Sequence, residues 1–168
     1  MRTEDSKEAS VSGVIRGKGL IGMKALTHIN RVTDDQVAFG VTLGLDLHGC
    51  TVTIAAARIA DAIDTGFWGL ELGSPTPKQV ELAAKFGYDI SGMSRREGDA
   101  VIDDLMTQLN LETVESEGLA PGVVVTNIHD SLSRQYTISS VYPDGTVYFR
   151  GGNGGRAWAR SLRRVQGA

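Results

Sequence analysis

The feature that most constrains this chain is an internal repeat. Placing Val32–Ile63 over Pro75–Met106, a shift of 43 residues with no gap, gives nine identities in 32 positions: Thr33/Thr76, Gln36/Gln79, Val37/Val80, Gly44/Gly87, Asp46/Asp89, Gly49/Gly92, Ala57/Ala100, Ile59/Ile102 and Asp61/Asp104. Phe39/Leu82, Leu43/Phe86, Leu45/Tyr88, Leu47/Ile90, Cys50/Met93 and Thr51/Ser94 keep their character. Cap, turn and core positions coincide together, which favours a tandem duplication over chance likeness between two amphipathic hairpins.

Each copy spells the same element. Thr33-Asp-Asp-Gln36 and Thr76-Pro-Lys-Gln79 have the capping-box form, with Pro77 suited to a first helical position. Apolar residues then follow at helical spacing to Gly44 and Gly87, where a helix-terminating glycine belongs. Leu45-Asp-Leu47 and Tyr88-Asp-Ile90 alternate as extended segments do, and a second helix opens after Gly49 and Gly92. Thr51 is its cap in copy one, where it ends near Asp64; in copy two a further capping box, Ser94-Arg-Arg-Glu97, starts a helix reaching about Leu109. Each copy therefore reads as helix, extended loop, helix, over residues 32–66 and 75–110.

The stretch Gln79–Leu105, with Gly87-Tyr-Asp-Ile-Ser-Gly92 between two helices, resembles the SAP and related helix-extended-loop-helix domains, and copy one resembles them through Gly44-Leu-Asp-Leu-His-Gly49. The resemblance implies a small nucleic-acid-binding module with a basic residue leading the second helix. Copy two offers Arg95 and Arg96 there, whereas copy one has Val52 and Thr53, so the resemblance assigns phosphate contact to copy two alone.

Beyond residue 110 the period changes. Val123–Thr126, Gln135–Tyr142, Thr146–Arg150, Ala157–Arg160 and Arg163–Val165 are short and rich in Val, Ile, Thr and Tyr. Pro143-Asp-Gly145 is a hairpin signal between two of them, and Ser116–Pro121 reads as a linker. Five strands over residues 119–168 resemble the SH3-like barrels of the KOW and Tudor type. The expected fold class is thus α+β: two helix-extended-loop-helix repeats plus a C-terminal five-stranded SH3-like β-barrel, preceded by an irregular segment, residues 1–31.

Charge follows the same division. Residues 1–120 hold 11 Lys/Arg against 18 Asp/Glu, while residues 121–168 hold six Arg, no Lys and only Asp130 and Asp144, so a polyanion should prefer the C-terminal end. Arg134, Arg150, Arg156, Arg160, Arg163 and Arg164 are interleaved with Tyr136, Tyr142, Tyr148 and Trp158. Guanidinium forks suit phosphate and aromatic faces suit unpaired bases. The expected nucleic-acid-binding residues are Arg95, Arg96, Arg134, Tyr148, Arg150, Arg156, Trp158, Arg160, Arg163 and Arg164. The same residue types equally fill a barrel core and rim, or form the hot spots of a protein interface.

Chemistry finds little footing. Gly17-Lys-Gly-Leu-Ile-Gly22 matches the dinucleotide fingerprint by letter, but the next element is a helix at Thr33 and no βαβ unit fits. His28, His48 and His129 sit in expected loops away from any nucleophile motif. One cysteine, Cys50, excludes an internal disulfide and aligns with Met93, as a buried small hydrophobe would. Asp99, Asp103 and Asp104 read as a solvated helix surface rather than a metal site. No catalytic residue, metal or cofactor is expected. No apolar run approaches the ~18 residues of a membrane helix, and Met1–Ser10 is charged where a signal peptide is apolar, so the expected location is cytoplasmic. The expected function is non-enzymatic binding of DNA or RNA; the alternative is an adaptor or inhibitor, of the kind phages encode, that docks on a protein through the acidic repeats or the barrel.

Overall fold

The computed structural model describes residues 23–151 and 153–167. The glycine-rich motif Gly17–Gly22 and most of the segment 1–31 lie outside the described residues. The fold is mixed α+β: helices α1 (Asp34–Thr42), α2 (Val52–Gly66), α3 (Pro77–Ala84) and α4 (Arg95–Ser116) precede strands β1 (Val124–Asn127), β2 (Gln135–Val141), β3 (Thr146–Phe149), β4 (Arg156–Trp158) and β5 (Leu162–Arg164). The chain divides into two compact units between Leu105 and Met106, inside α4.

In the first unit the local signals act as their chemistry dictates. Thr33 and Thr76 cap α1 and α3 in full capping boxes with Gln36 and Gln79. Both helices stop at glycines in the left-handed region, Gly44 at φ 74° and Gly87 at φ 83°. The amides of Leu45 and Tyr88 reach back to the carbonyls of Gly40 and Ala83, closing the same C-terminal motif twice. Each extended loop then buries one aliphatic side chain completely, Leu47 in one and Ile90 in the other.

The second helices of the two helix pairs are tied to each other. The Thr51 hydroxyl accepts from the Ile54 amide as the cap of α2 and donates to the Asp104 carboxylate on α4. The Ser94 hydroxyl accepts from the Glu97 amide as the cap of α4 and donates to Asp61 on α2. The two bonds join the same pair of positions, each 43 residues apart, in opposite directions. Asp61 and Asp104 are both buried. The expectation of a solvated surface at Asp104 is therefore corrected: the packing of α4 against the α2 cap encloses it. The expected second capping box is half formed, because the Glu97 carboxylate turns away from the cap and accepts from Arg58 Nε at 2.7 Å. Segments leading into each copy also match: the Val52 amide bonds the Asn30 carbonyl, and the Arg95 amide bonds that of Gly73.

In the second unit the five strands form one open antiparallel sheet in the order β4-β3-β2-β1-β5, with a register shift in β2 between Ile138 and Ser140 and a 3-10 turn, Ala159–Ser161, before β5. Its core is Leu119, Val125, Ile138, Val147, Ala159 and Leu162, with Val114 of α4 packed against it. Helix α4 thus does not stop near Leu109; it continues to Ser116, ends at Gly118 (φ 59°), and the Leu119 amide returns to the Val114 carbonyl. Residues 116–121 are accordingly a helix end and a core position, not a linker.

The reason lies at Asn110, which is 1% exposed. Its Oδ1 accepts from the Arg160 amide and Nη1, each at 3.2 Å, and its Nδ2 donates to the Asp144 carbonyl at 3.4 Å. The hairpin turn lies directly against it: Gly145 has φ 81°, and a Cβ there would overlap that of Asn110. Left-handed strain and overpacking together make Gly145→Ala cost about 2–5 kcal/mol, read as a lowered midpoint in urea. A fragment of residues 106–168 should give dispersed amide signals, whereas 119–168, lacking Asn110 and Val114, should not. A folded 119–168 fragment would show that the end of α4 is dispensable.

Candidate nucleic-acid interface

The β3–β4 hairpin sorts its side chains by the period of two. Val147 and Ala157 point into the core, so Thr146, Tyr148, Arg156 and Trp158 take the opposite face. Thr146 pairs with Trp158 and Tyr148 with Arg156 across the strands. Tyr142, just before the turn, leans on Tyr148 with ring centroids 4.8 Å apart. Together with Asp144 and the edge of Ala157 these residues line a groove of about 410 Å³. Tyr142 and Trp158 remain about half exposed, at 50% and 47%.

Arginines border this face. Arg156 Nη1 donates to the Tyr148 hydroxyl at 3.3 Å. The Arg160 guanidinium lies 5.4 Å from the centre of the Trp158 ring while Asn110 holds its Nη1, and partial burial lowers its pKa. Arg150 and Arg164 are exposed, Arg150 beside Gly122 and Arg164 over Gly118. Among the described residues, none of Arg150, Arg156, Arg160 and Arg164 is ion-paired with a carboxylate through its side chain.

The other arginines expected to bind are already engaged. Arg134 Nε donates to Asp130 at 2.9 Å, and that bond, with the Leu132 amide and the Tyr136 hydroxyl, lowers the Asp130 carboxyl to about 2. Arg163 donates to the carbonyls of Arg160 and Leu162 and lies 4.0 Å from Glu117. Tyr136 stacks on Phe149 at the margin of the core. When the end of α4 is counted with the sheet, Glu112, Glu115 and Glu117 join it, and six Arg stand against five acids, a net charge of +1 for residues 106–168. Any preference of a polyanion for this unit is therefore a matter of where the arginines lie.

At the start of α4 the surroundings are acidic. Arg96 holds Asp61 at 3.0 Å and Asp64 at 2.7 Å, and these partners raise its pKa. Arg95 lies along Gly73. The depression they share, about 320 Å³, is lined also by Asp61, Asp64, Glu71 and Asp99. A phosphate there would meet four carboxylates, and the Ser94 cap is already given to Asp61. In copy one Thr51 and Thr53, at the positions of Ser94 and Arg96, hydrogen-bond Asp104 in place of a cation.

Cys50 is buried, its thiol pushed up by desolvation, with Arg58 Nη1 3.4 Å from sulfur. His48 and Asp46 form a local pair at 2.8 Å. Among the described residues no group of three or more His, Cys, Asp or Glu side chains is placed to hold a metal ion, and no helix is long and apolar enough to cross a membrane. No protein-family model matches the chain, and comparison with curated proteins and with solved structures likewise gives no match.

The two buried carboxyls differ in their counter-charge, which yields opposite mutational results. Burial raises the pKa of Asp104 above 3.8, so the native state holds its proton more tightly than the unfolded chain does. That contribution to stability is present at low pH and is lost as pH rises through the folded pKa. Asp104→Asn should therefore gain on the parent protein between pH ~4 and ~7. Asp61→Asn removes the carboxylate charge and one of the two oxygens that accept from Ser94 and Arg96, and should cost about 1–3 kcal/mol at pH 7. Urea midpoints of the three proteins at both pH values decide this.

Proposed function

We propose that the chain is a non-enzymatic nucleic-acid-binding protein that contacts phosphates through its C-terminal unit. The observation carrying this reading is the set of exposed arginines, Arg150, Arg156 and Arg164, whose side chains form no ion pair with a carboxylate among the described residues, although the Arg164 amide donates to Glu117 Oε2 at 2.9 Å, set beside the aromatic face of β3 and β4. Exposed guanidinium groups without a counter-charge are the chemistry that phosphate recognition uses. The strand order, the bent β2 and the 3-10 turn before β5 support an SH3-like barrel as the frame. The matched caps, Gly44 and Gly87, and the exchanged Thr51–Asp104 and Ser94–Asp61 bonds support reading the helices as a duplicated helix-extended-loop-helix pair.

The resemblance to SAP modules would place a phosphate at Arg95 and Arg96. The ion pairs of Arg96 and the carboxylates around it argue against that use, so the repeats serve here as a scaffold.

A second reading, a protein-binding adaptor or inhibitor, has its own observation. After α2 the chain exposes Phe67 (77%), Trp68 (72%), Leu70 and Leu72, although the Phe67 and Leu70 amides are hydrogen-bonded. An ordered apolar run in water is characteristic of a docking surface. A stoichiometric protein partner lost on changing Phe67 and Trp68 to Ser, with nucleic-acid binding intact, would establish it beside the first.

Counterion release makes the proposal measurable. The slope of log affinity against log salt should fall by about two units when Arg150 and Arg164 are both changed to Ala. Arg96→Ala should leave the slope unchanged. Absence of binding to every nucleic acid tried at ~50 mM salt rejects the reading.

A further inference from the structure

We infer that the groove on the outer face of β3 and β4 seats unpaired nucleobases, so that the ligand of this chain is single-stranded nucleic acid and not duplex. This inference rests on the nucleic-acid reading above and adds the strandedness and the seat. Three rings, Tyr142, Tyr148 and Trp158, border one groove of about 410 Å³. The register that puts Val147 and Ala157 in the core turns Tyr148 and Trp158 outward, and Tyr142, just before the turn, leans on Tyr148 from beside them. Phosphate contact alone needs no aromatic surface, and in a duplex the base faces are stacked on one another and closed to it. Half-exposed rings flanked by guanidinium groups are what unpaired bases stack on.

Charge selects between the possible occupants of an aromatic groove. Arg156 stands within it, and Arg160, held by Asn110, lies against the ring of Trp158. Cations at these places oppose a cationic side chain and favour a strand whose phosphates accompany its bases. Asp144, the one acid of the groove among the described residues, is occupied in the turn by the Thr146 amide. A proline-rich peptide also fits aromatic grooves, but it carries no charge that would use Arg156 and Arg160.

The test is fluorescence anisotropy on the full chain with a thymidine oligomer of ~15 nucleotides, a duplex of equal length, and an oligoproline competitor. The single strand should bind at least about ten-fold tighter than the duplex at equal salt. Tyr142→Leu should weaken the single strand about ten-fold and Tyr142→Phe, which keeps the ring, should not. In a Trp68→Phe background, Trp158 emission should be quenched on binding. Duplex binding as tight as single-strand binding, with Tyr142→Leu neutral, overturns the seat and leaves the arginine reading standing. Displacement of the single strand by oligoproline, or Trp158 quenching by oligoproline alone, assigns the groove to a peptide and overturns the inference. If neither nucleic acid binds, the functional reading falls and this inference with it.

Discussion

Two hydroxyl–carboxylate bonds hold the helical unit in register. Thr51 and Ser94 each satisfy a helix terminus and, with the same hydroxyl, a buried carboxylate of the other helix pair. A buried acid without such a donor costs several kcal/mol, so the caps and acids fix one another's positions. At the start of α4, Ser94 and Arg96 are both bonded to Asp61. Arg150, Arg156 and Arg164, exposed and with side chains in no ion pair among the described residues, lie in the unit that begins at Met106.

Within that unit Asn110 plays the matching part. It is a polar residue enclosed between a helix and a hairpin, with both ends of its amide bonded, and it fixes the Arg160 backbone and guanidinium. The guanidinium in turn lies against Trp158. A buried amide on α4 thereby orders two members of the proposed interface, and the glycine at the hairpin turn is required so that the turn can approach it.

Much of this was legible where the signal is local. Capping boxes, the glycines at 44 and 87, and the Pro143-Asp-Gly145 hairpin each act over a few residues, and the alternation in Thr146-Val-Tyr148 and Arg156-Ala-Trp158 separates core from surface. What escaped depends on distant partners. Asn110 reads as a helix end because its propensity is poor, until Arg160 and Asp144 satisfy it. Asp104 reads as surface because carboxylates ordinarily are, until Thr51 is found above it. The ion pairs of Arg96 were out of reach because the two acids that hold it lie on another helix. Tyr142 was visible as an aromatic but not as a wall of the groove, since its place depends on how the turn folds over.

The central claim, that the C-terminal unit and not the helical repeats meets nucleic acid, is tested most directly by amide chemical-shift mapping of the full chain with an oligonucleotide at low salt. Perturbations should gather at Tyr142–Arg164 and leave Ser94–Glu97 unmoved. Shifts concentrated at the start of α4, with the β3–β4 hairpin silent, would contradict it.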